Sequence, residues 1–285
     1  MSSETNIDQY VYGMKGRYKS YRDLENPPTN DIKSNILQES FSLIIPAYNE
    51  EGRIGPFLRQ VSGMLPHNWE IIIVCDGSDM TSHIARHTDS RFKVMEFEHR
   101  LGKGGAILEG FKASTGDIVG YVDADGAISV NEIKNVFYRV SGEYNVAVGS
   151  RWLKNSKVVV PQPLIRIVLG RFYHYMTFAI LGLSTKDTQC GVKAFKMSTL
   201  RKVLPGVTLK NLSFDTALLY HCKKQGAKIA EVPIVWRDVG GSNVRPLKTA
   251  FIMFSSLVGM RLAHSDKHRI FTRLLDSIRS LLETA

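Results

Sequence analysis

Phe41-Ser42-Leu43-Ile44-Ile45-Pro46-Ala47-Tyr48-Asn49-Glu50 is the stretch on which the fold turns. Residues 41–45 are apolar but for one serine, and Pro46 stops them. A short apolar run closed by a turn signal is the mark of a strand buried on both faces. Working outward, the same unit recurs. Residues 50–64 read as a helix, and 71–74 and 94–97 as two more buried strands. Residues 103–114 are helical, 118–122 a fourth strand, 131–140 a helix and 146–148 a fifth strand. Strands alternating with helices of this length predict an α/β fold. Its sheet is expected to be mostly parallel, flanked by helices and built from right-handed crossovers.

Beyond Arg151 the rhythm changes. Residues 164–183 and 214–224 read as helices, and 229–236 as a strand in which Pro233 marks an edge or bulge. Two amphipathic helices, 247–263 and 267–282, are expected to close the chain. Residues 245–285 carry seven Lys or Arg against three Asp or Glu, a basic character suited to a membrane surface or to helix packing. Residues 1–40 form a polar lead-in without the apolar core of a signal peptide. No stretch reads as a clean transmembrane helix: Arg166, Arg171 and His174 interrupt residues 164–183, and the charge-free run 249–260 is short of the ~20 residues a span needs.

The composition is globular, with 44% hydrophobic and 22% charged residues over 285 positions. A net charge of +10 favours phosphate-bearing partners. Three cysteines without a C-x-x-C pair suggest neither a disulfide framework nor a zinc site, and they fit a reducing cytoplasm.

Ligands of open α/β sheets bind at the carboxyl ends of the strands. Strand one ends in Pro46-Ala47-Tyr48-Asn49-Glu50, strand two in Cys75-Asp76-Gly77-Ser78-Asp79, strand four in Asp123-Ala124-Asp125-Gly126. Three such clusters at one rim are more than turn chemistry requires. Asp123 and Asp125, two apart on an extended chain, make an oxygen-rich pair suited to Mg²⁺ or Mn²⁺ and a substrate phosphate; a loop of Asx turns is the alternative. Gly102-Lys103-Gly104-Gly105 opens a helix and suits a phosphate or nucleotide.

Taken in order across residues 41–151, these strings resemble the family 2 inverting glycosyltransferases of GT-A fold, a Rossmann-like architecture. The resemblance implies that Pro46, Tyr48, Glu50 and Asp76 hold base and ribose, and that Lys103, Asp123, Ala124 and Gln189 complete the nucleotide-sugar site. Asp123 and Asp125 are implied to face metal and diphosphate. Residues 41–240 would then be the catalytic domain and 241–285 a C-terminal helical segment. Val148-Gly149-Ser150-Arg151, Arg166, Asp187-Thr188-Gln189-Cys190-Gly191-Val192-Lys193 and Phe214-Asp215-Thr216 resemble the dolichyl-phosphate sugar synthases. Asp125-Gly126-Ala127, the D-T-Q-C-G string and Val235-Trp236 with Gly241-Ser242 look closest to the dolichyl-phosphate β-glucosyltransferases. The chain departs from them in Asn243, where Lys is usual, with Arg245 as a replacement charge, and in lacking the N-terminal membrane helix of eukaryotic members. The mannosyl synthases usually place Gln or Ser-His shortly after the D-x-D pair; Ala127 here leaves that position without a side-chain metal ligand.

Charge supplies a mechanism. A phosphate acceptor is largely dianionic at neutral pH and needs no protein base, whereas a hydroxyl does. Cations must therefore gather two anions: a divalent metal at Asp125 for the leaving group, and Arg151 with Arg166 for the acceptor phosphate. Asp187 and Gln189 either contact the sugar, orient an arginine or cap a turn. The expected reaction is metal-dependent hexosyl transfer, glucose favoured, from a nucleotide-sugar to dolichyl or polyprenyl phosphate. GDP-mannose as donor, a polysaccharide or protein acceptor, and a non-catalytic basic nucleotide- or nucleic-acid-binding module are the alternatives. Expected partners are UDP-glucose or GDP-mannose, the prenyl phosphate, a membrane surface on its cytoplasmic face, and a second copy or a membrane protein. Nucleic acid is not among them, for no basic stripe interleaves with aromatics.

Overall fold

The computed structural model describes residues 38–209, 211–240 and 246–262. The expected lead-in up to residue 37, Gly241-Ser242-Asn243 with Arg245, and the helix expected over 267–282 lie outside the described residues.

The first strand, β1 (Phe41–Ala47), is central. Leu43, Ile44 and Ile45 have no exposure, because helices cover both faces of the sheet. It pairs in parallel with β2 (Trp69–Cys75), Phe41 opposite Trp69 through Ala47 opposite Cys75, and on its other side with β4 (Ile118–Val122). Each fully buried Leu or Ile here contributes about 1.5–3 kcal/mol. The outer strand β3 (Phe92–Glu96) pairs with β2. Helices α1 (Ile54–Met64), α2 (Thr81–Thr88), α3 (Gly102–Ala113) and α4 (Val130–Val140) follow β1, β2, β3 and β4. Ser129 and Glu132 form the S-x-x-E start of α4, Ser129 Oγ accepting from the Glu132 N–H at 3.4 Å.

The sheet order is β3-β2-β1-β4-β7-β5-β8. Between β4 and β5 (Val146–Ser150) runs β7 (Val192–Lys196), antiparallel to both. The sheet is therefore mostly parallel with one reversed inner strand. The residues expected as a single strand over 229–236 divide at Ile234. β8 (Ile229–Pro233) pairs with β5, and β9 (Val235–Arg237) leaves to pair with β6 (Lys157–Val160) in a separate ribbon.

Helix α5 (Leu164–Leu181) ends at Gly182, whose φ of 66° permits the left-handed turn: its N–H donates to Phe178 O at 2.8 Å, and the Leu183 N–H to Thr177 O at 3.4 Å. By length and a mean hydropathy of 1.2 this helix is able to cross a membrane, and 17% of it is buried. The reading that no stretch qualifies is corrected on that measure; Arg166 and Arg171 are too few to offset the apolar remainder. Beside it packs α8 (Pro246–Leu262). This helix is not amphipathic as expected but apolar all round: Leu257 and Met260 are buried, while Phe251 and Phe254 are exposed. Two shorter elements, α6 (Met197–Val203) and α7 (Phe214–Lys224), complete the described core.

Candidate active site

The carboxyl ends of β1, β2 and β4 open into one cleft of about 260 Å³. Pro46, Tyr48, Glu50, Asp76, Lys103, Asp123, Ala124 and Asp125 all line it, joined by Arg53, Arg100 and Leu212. Local chemistry holds the rim. Asn49, at φ 52°, accepts from the Ser78 N–H at 3.0 Å, locking the first loop to the second. Gly77 is required there, since a Cβ would collide with the Asn49 side chain and backbone. The Glu50 carboxylate is held by both arms of Arg53, and Arg53 Nη1 donates to Gly240 O at 3.0 Å. Arg100 lies 4.0 Å over the Tyr48 ring.

Asp76 Oδ2 accepts from the backbone N–H groups of Leu101 and Gly102 at 2.8 and 2.9 Å. The carboxylate thus caps the start of α3, where Gly102 adopts φ 73°, and places Lys103 over the cleft. Asp123 donates its N–H to Gly191 O at 3.1 Å, and its carboxylate lies so close to Gly191 that no Cβ fits there. Asp125 Oδ1 accepts from the Ala127 N–H at 2.9 Å, an Asx-type turn. The turn of the alternative reading is therefore present, and both carboxylates line the one cleft. Burial, and then the charge of Asp123, raise the Asp125 carboxyl above its ordinary value. No Lys or Arg adjoins the pair in sequence, but space supplies one: Lys103 Nζ is 2.7 Å from Asp123 Oδ1.

None of the second group of expected residues, Arg151, Arg166, Asp187 and Gln189, lines this cleft. Asp187 is fully buried and binds Arg151 through both guanidinium arms, Nε at 2.7 Å and Nη2 at 2.8 Å, and through the Arg151 N–H at 3.0 Å. Burial alone would raise the Asp187 carboxyl, but Arg151 outweighs it and holds it below the ordinary value. Of the roles weighed for Asp187, orienting an arginine is the one the geometry supports. Arg151 commits Nε and Nη2 of its guanidinium to that pair. Gln189 Nε2 donates to Thr216 Oγ1 at 2.9 Å. Arg166 is half-buried on α5, one turn before Gly170, where a Cβ would lie 3.6 Å from the Trp152 ring. The helix face carrying Arg166 therefore lies against the loop that follows Arg151.

Two residues quoted in the motifs without a role prove central. Lys193, with no exposure, and Asp215, at 1%, form a buried pair at 2.5 Å. Burial raises the Asp215 carboxyl, and Lys103 and Lys193 together lower it below the ordinary value. Val192-Lys193-Ala194-Phe195 carried the signal: a lysine inside a buried apolar strand demands a buried anion.

Asp123 and Asp125 are the residues able to hold a divalent ion. Their oxygen-only donors, and a lysine ammonium already compensating one of them, suit a hard cation. Among the described residues no group of three His, Cys, Asp or Glu forms a complete protein cage, so substrate phosphates and water would supply the remaining ligands.

Residues 42–204 match the family described as Glycosyl transferase family 2. The dolichyl-phosphate beta-glucosyltransferase of Dictyostelium discoideum is 31% identical over 254 residues, spanning 82% of this chain and 78% of that protein. The yeast (Saccharomyces cerevisiae) protein of the same name is 31% identical over 248 residues, spanning 78% of this chain and 74% of its own. Among solved structures, glucosyl-3-phosphoglycerate synthase from Mycobacterium tuberculosis, in complex with Mn²⁺, UDP and glucosyl-3-phosphoglycerate, superposes with a TM-score of 0.62 at 18% identity. That alignment covers 84% of this chain and 85% of that one and bears on the fold. With its three-strand cleft and the match over most of its sheet, the chain belongs to glycosyl transferase family 2 and is a glycosyltransferase.

Proposed function

We propose that the enzyme moves glucose from UDP-glucose to dolichyl or a related polyprenyl phosphate, with inversion, in the presence of Mg²⁺ or Mn²⁺. The observation that carries the acceptor is the state of two fully buried carboxylates, Asp187 and Asp215. Asp187 is committed to Arg151 and Asp215 to Lys193, and both are held below the ordinary carboxylate range. Neither is a base for a hydroxyl. A phosphate acceptor needs none, since its oxygen is already anionic. The relatives named for dolichyl-phosphate glucosyl transfer support the same acceptor and sugar.

In this reading Tyr48, Glu50 and Asp76 receive the nucleoside half of the donor, and Lys103 sits by the diphosphate at the start of α3. Asp123 and Asp125 would hold the ion, which when bound neutralises charge on the leaving diphosphate. Arg166 supplies a guanidinium for the acceptor phosphate. Arg151, braced by Asp187, fixes the adjacent loop and keeps Nη1 for the same anion.

We also infer a position on the cytoplasmic face of a membrane. Helix α5 exposes Leu164, Ile165, Val168, Phe172, Tyr175 and Phe178, and the neighbouring α8 adds Phe251 and Phe254. So large an apolar area on an aqueous protein points to a lipid contact.

The test is direct. Purified enzyme, labelled UDP-glucose or GDP-mannose, Mn²⁺ and polyprenyl phosphate should give organic-phase label with UDP-glucose. Label from GDP-mannose alone would overturn the donor. Transfer to a free prenyl alcohol as fast as to its phosphate would overturn the acceptor.

A further inference from the structure

Behind the D-x-D pair runs a file of alternating charges from four elements. Lys193 on β7 donates to Cys190 O at 2.7 Å and lies 2.5 Å from Asp215 Oδ1. Asp215, in the first turn of α7, also accepts at Oδ1 from the Tyr121 hydroxyl on β4. Its other oxygen, Oδ2, lies 3.6 Å from Lys103 Nζ on α3. The same ammonium lies 2.7 Å from Asp123 Oδ1. A buried Lys–Asp pair is weak support for a fold, because both ions give up water to form it. Packing alone does not explain why the chain aims one carboxylate oxygen out of this pair at Lys103.

We propose that Asp215, fixed by Lys193 and Tyr121, is a positioning residue that gives Lys103 a second seat, so that the ammonium neutralises Asp123 in the ligand-free enzyme and moves to Asp215 when a divalent cation takes Asp123. The proposal rests on reading the cleft as the donor site.

Two cations on one carboxylate repel each other. The lysine therefore has to yield Asp123, and its flexible four-carbon stem lets it do so. Among the described residues Asp215 Oδ2 has no hydrogen bond, so it is open to receive the ammonium. With Oδ1 tied to Lys193 and Tyr121, the carboxylate cannot turn away. In its second seat Lys103 remains at the N-terminal end of α3, where its charge still faces the diphosphate.

The test is Mn²⁺ titration of the nucleotide-free full-length protein, reading free Mn²⁺ by electron paramagnetic resonance, with UDP binding as a second measure. Lys103→Met removes the competing cation and should tighten Mn²⁺ binding about ten-fold, a fold-change in keeping with one charge-assisted contact, while kcat falls. Asp215→Asn removes the second seat and should weaken Mn²⁺ binding by roughly the same factor. The double variant should bind like Lys103→Met alone, since Asp215 acts only through Lys103. Lys103 is partly exposed, so its variant stands as a test even where Asp215→Asn fails to fold. Lys103→Met that binds Mn²⁺ no tighter than wild type would overturn the proposal. So would an Asp215→Asn effect that persists undiminished in the Lys103→Met background, which is what a merely structural role produces. Wild type that binds neither Mn²⁺ nor UDP would remove the donor-site reading along with it, whereas wild-type binding with unaltered variants removes the positioning role alone.

Discussion

Asp187 and Gly191, four positions apart in one string, serve the site in different ways. Asp187 is a carboxylate whose folded value lies below its ordinary 3.8 because Arg151 outweighs burial. A depressed carboxylate contributes stability that is complete above its unfolded value and lost as pH falls through the folded one. Asp187→Asn leaves Arg151 buried and unpaired, and should destabilise the fold by about 3–5 kcal/mol. Urea denaturation should show that gap constant from about pH 5 to pH 8 and shrinking as pH falls below about 4, where wild type loses what the variant never had. A gap independent of pH down to pH 2 would refute the assignment. Gly191 matters for its missing side chain: a Cβ there would push the Asp123 carboxylate off its place. Gly191→Ala should therefore fold, lose at least roughly ten-fold in kcat/KM, and bind Mn²⁺ more weakly, since a misplacement near an ångström is enough to impair such geometry. Unchanged Mn²⁺ affinity would show that Asp123 does not need that space.

At the scale of elements, what could be read in advance followed from burial. β1, β2 and β4 stand out in the sequence because a strand covered on both faces is written as one apolar run. The three polar clusters that end them do meet in one cleft, as the carboxyl-end rule requires. β7 escaped because Lys193 and Lys196 break its apolar run, and its reversed direction depends on pairing with β4 and β5, which no local pattern encodes. α2 is short and carries two histidines and an arginine on exposed turns, so its period is faint. The switch of the chain from β8 to β9 was visible only as Pro233. Among site residues, Asp76 and the D-x-D pair were legible from position, whereas the Lys103 to Asp123 contact joins α3 to β4 and exists only in space. The long helix α5 is where element and chemistry meet. It carries Arg166 one turn before Gly170, the position that faces Trp152, while Arg151 is braced by Asp187. Arg166→Ala should thus raise the acceptor KM, with kcat/KM falling roughly ten- to two-hundred-fold as one charge-assisted contact is lost. UDP affinity and thermal stability should hardly change, and lysine should restore part of the loss. Loss of UDP affinity as great as that for the acceptor would place Arg166 in the donor site instead.

The described residues present two unlike surfaces: a charged cleft at the carboxyl ends of the sheet, and an apolar face made by α5 and α8. Arg166 sits on α5 among the exposed apolar residues, so the expected acceptor cation belongs to the apolar face. That layout suits a substrate whose phosphate must reach an aqueous cleft while its prenyl chain remains in lipid. A net charge of +10 adds attraction to anionic headgroups, but Debye screening removes that term as salt rises. Burial of apolar side chains is not screened and contributes about 1.5–3 kcal/mol for each large one fully inserted. The protein should therefore float with anionic vesicles at low salt and remain largely bound at about 0.5 M salt, where Debye screening leaves a purely electrostatic contact little strength. Phe172→Glu with Phe178→Glu changes two residues that are each more than half exposed, so the fold should survive while vesicle binding fails. The same double variant should keep its affinity for UDP and its turnover of a short, water-soluble prenyl phosphate, and lose turnover of a long-chain acceptor presented in vesicles. Complete release of wild type by salt alone would show that charge, not the α5 face, makes the contact. Undiminished flotation of the double variant would move the membrane surface elsewhere on the protein.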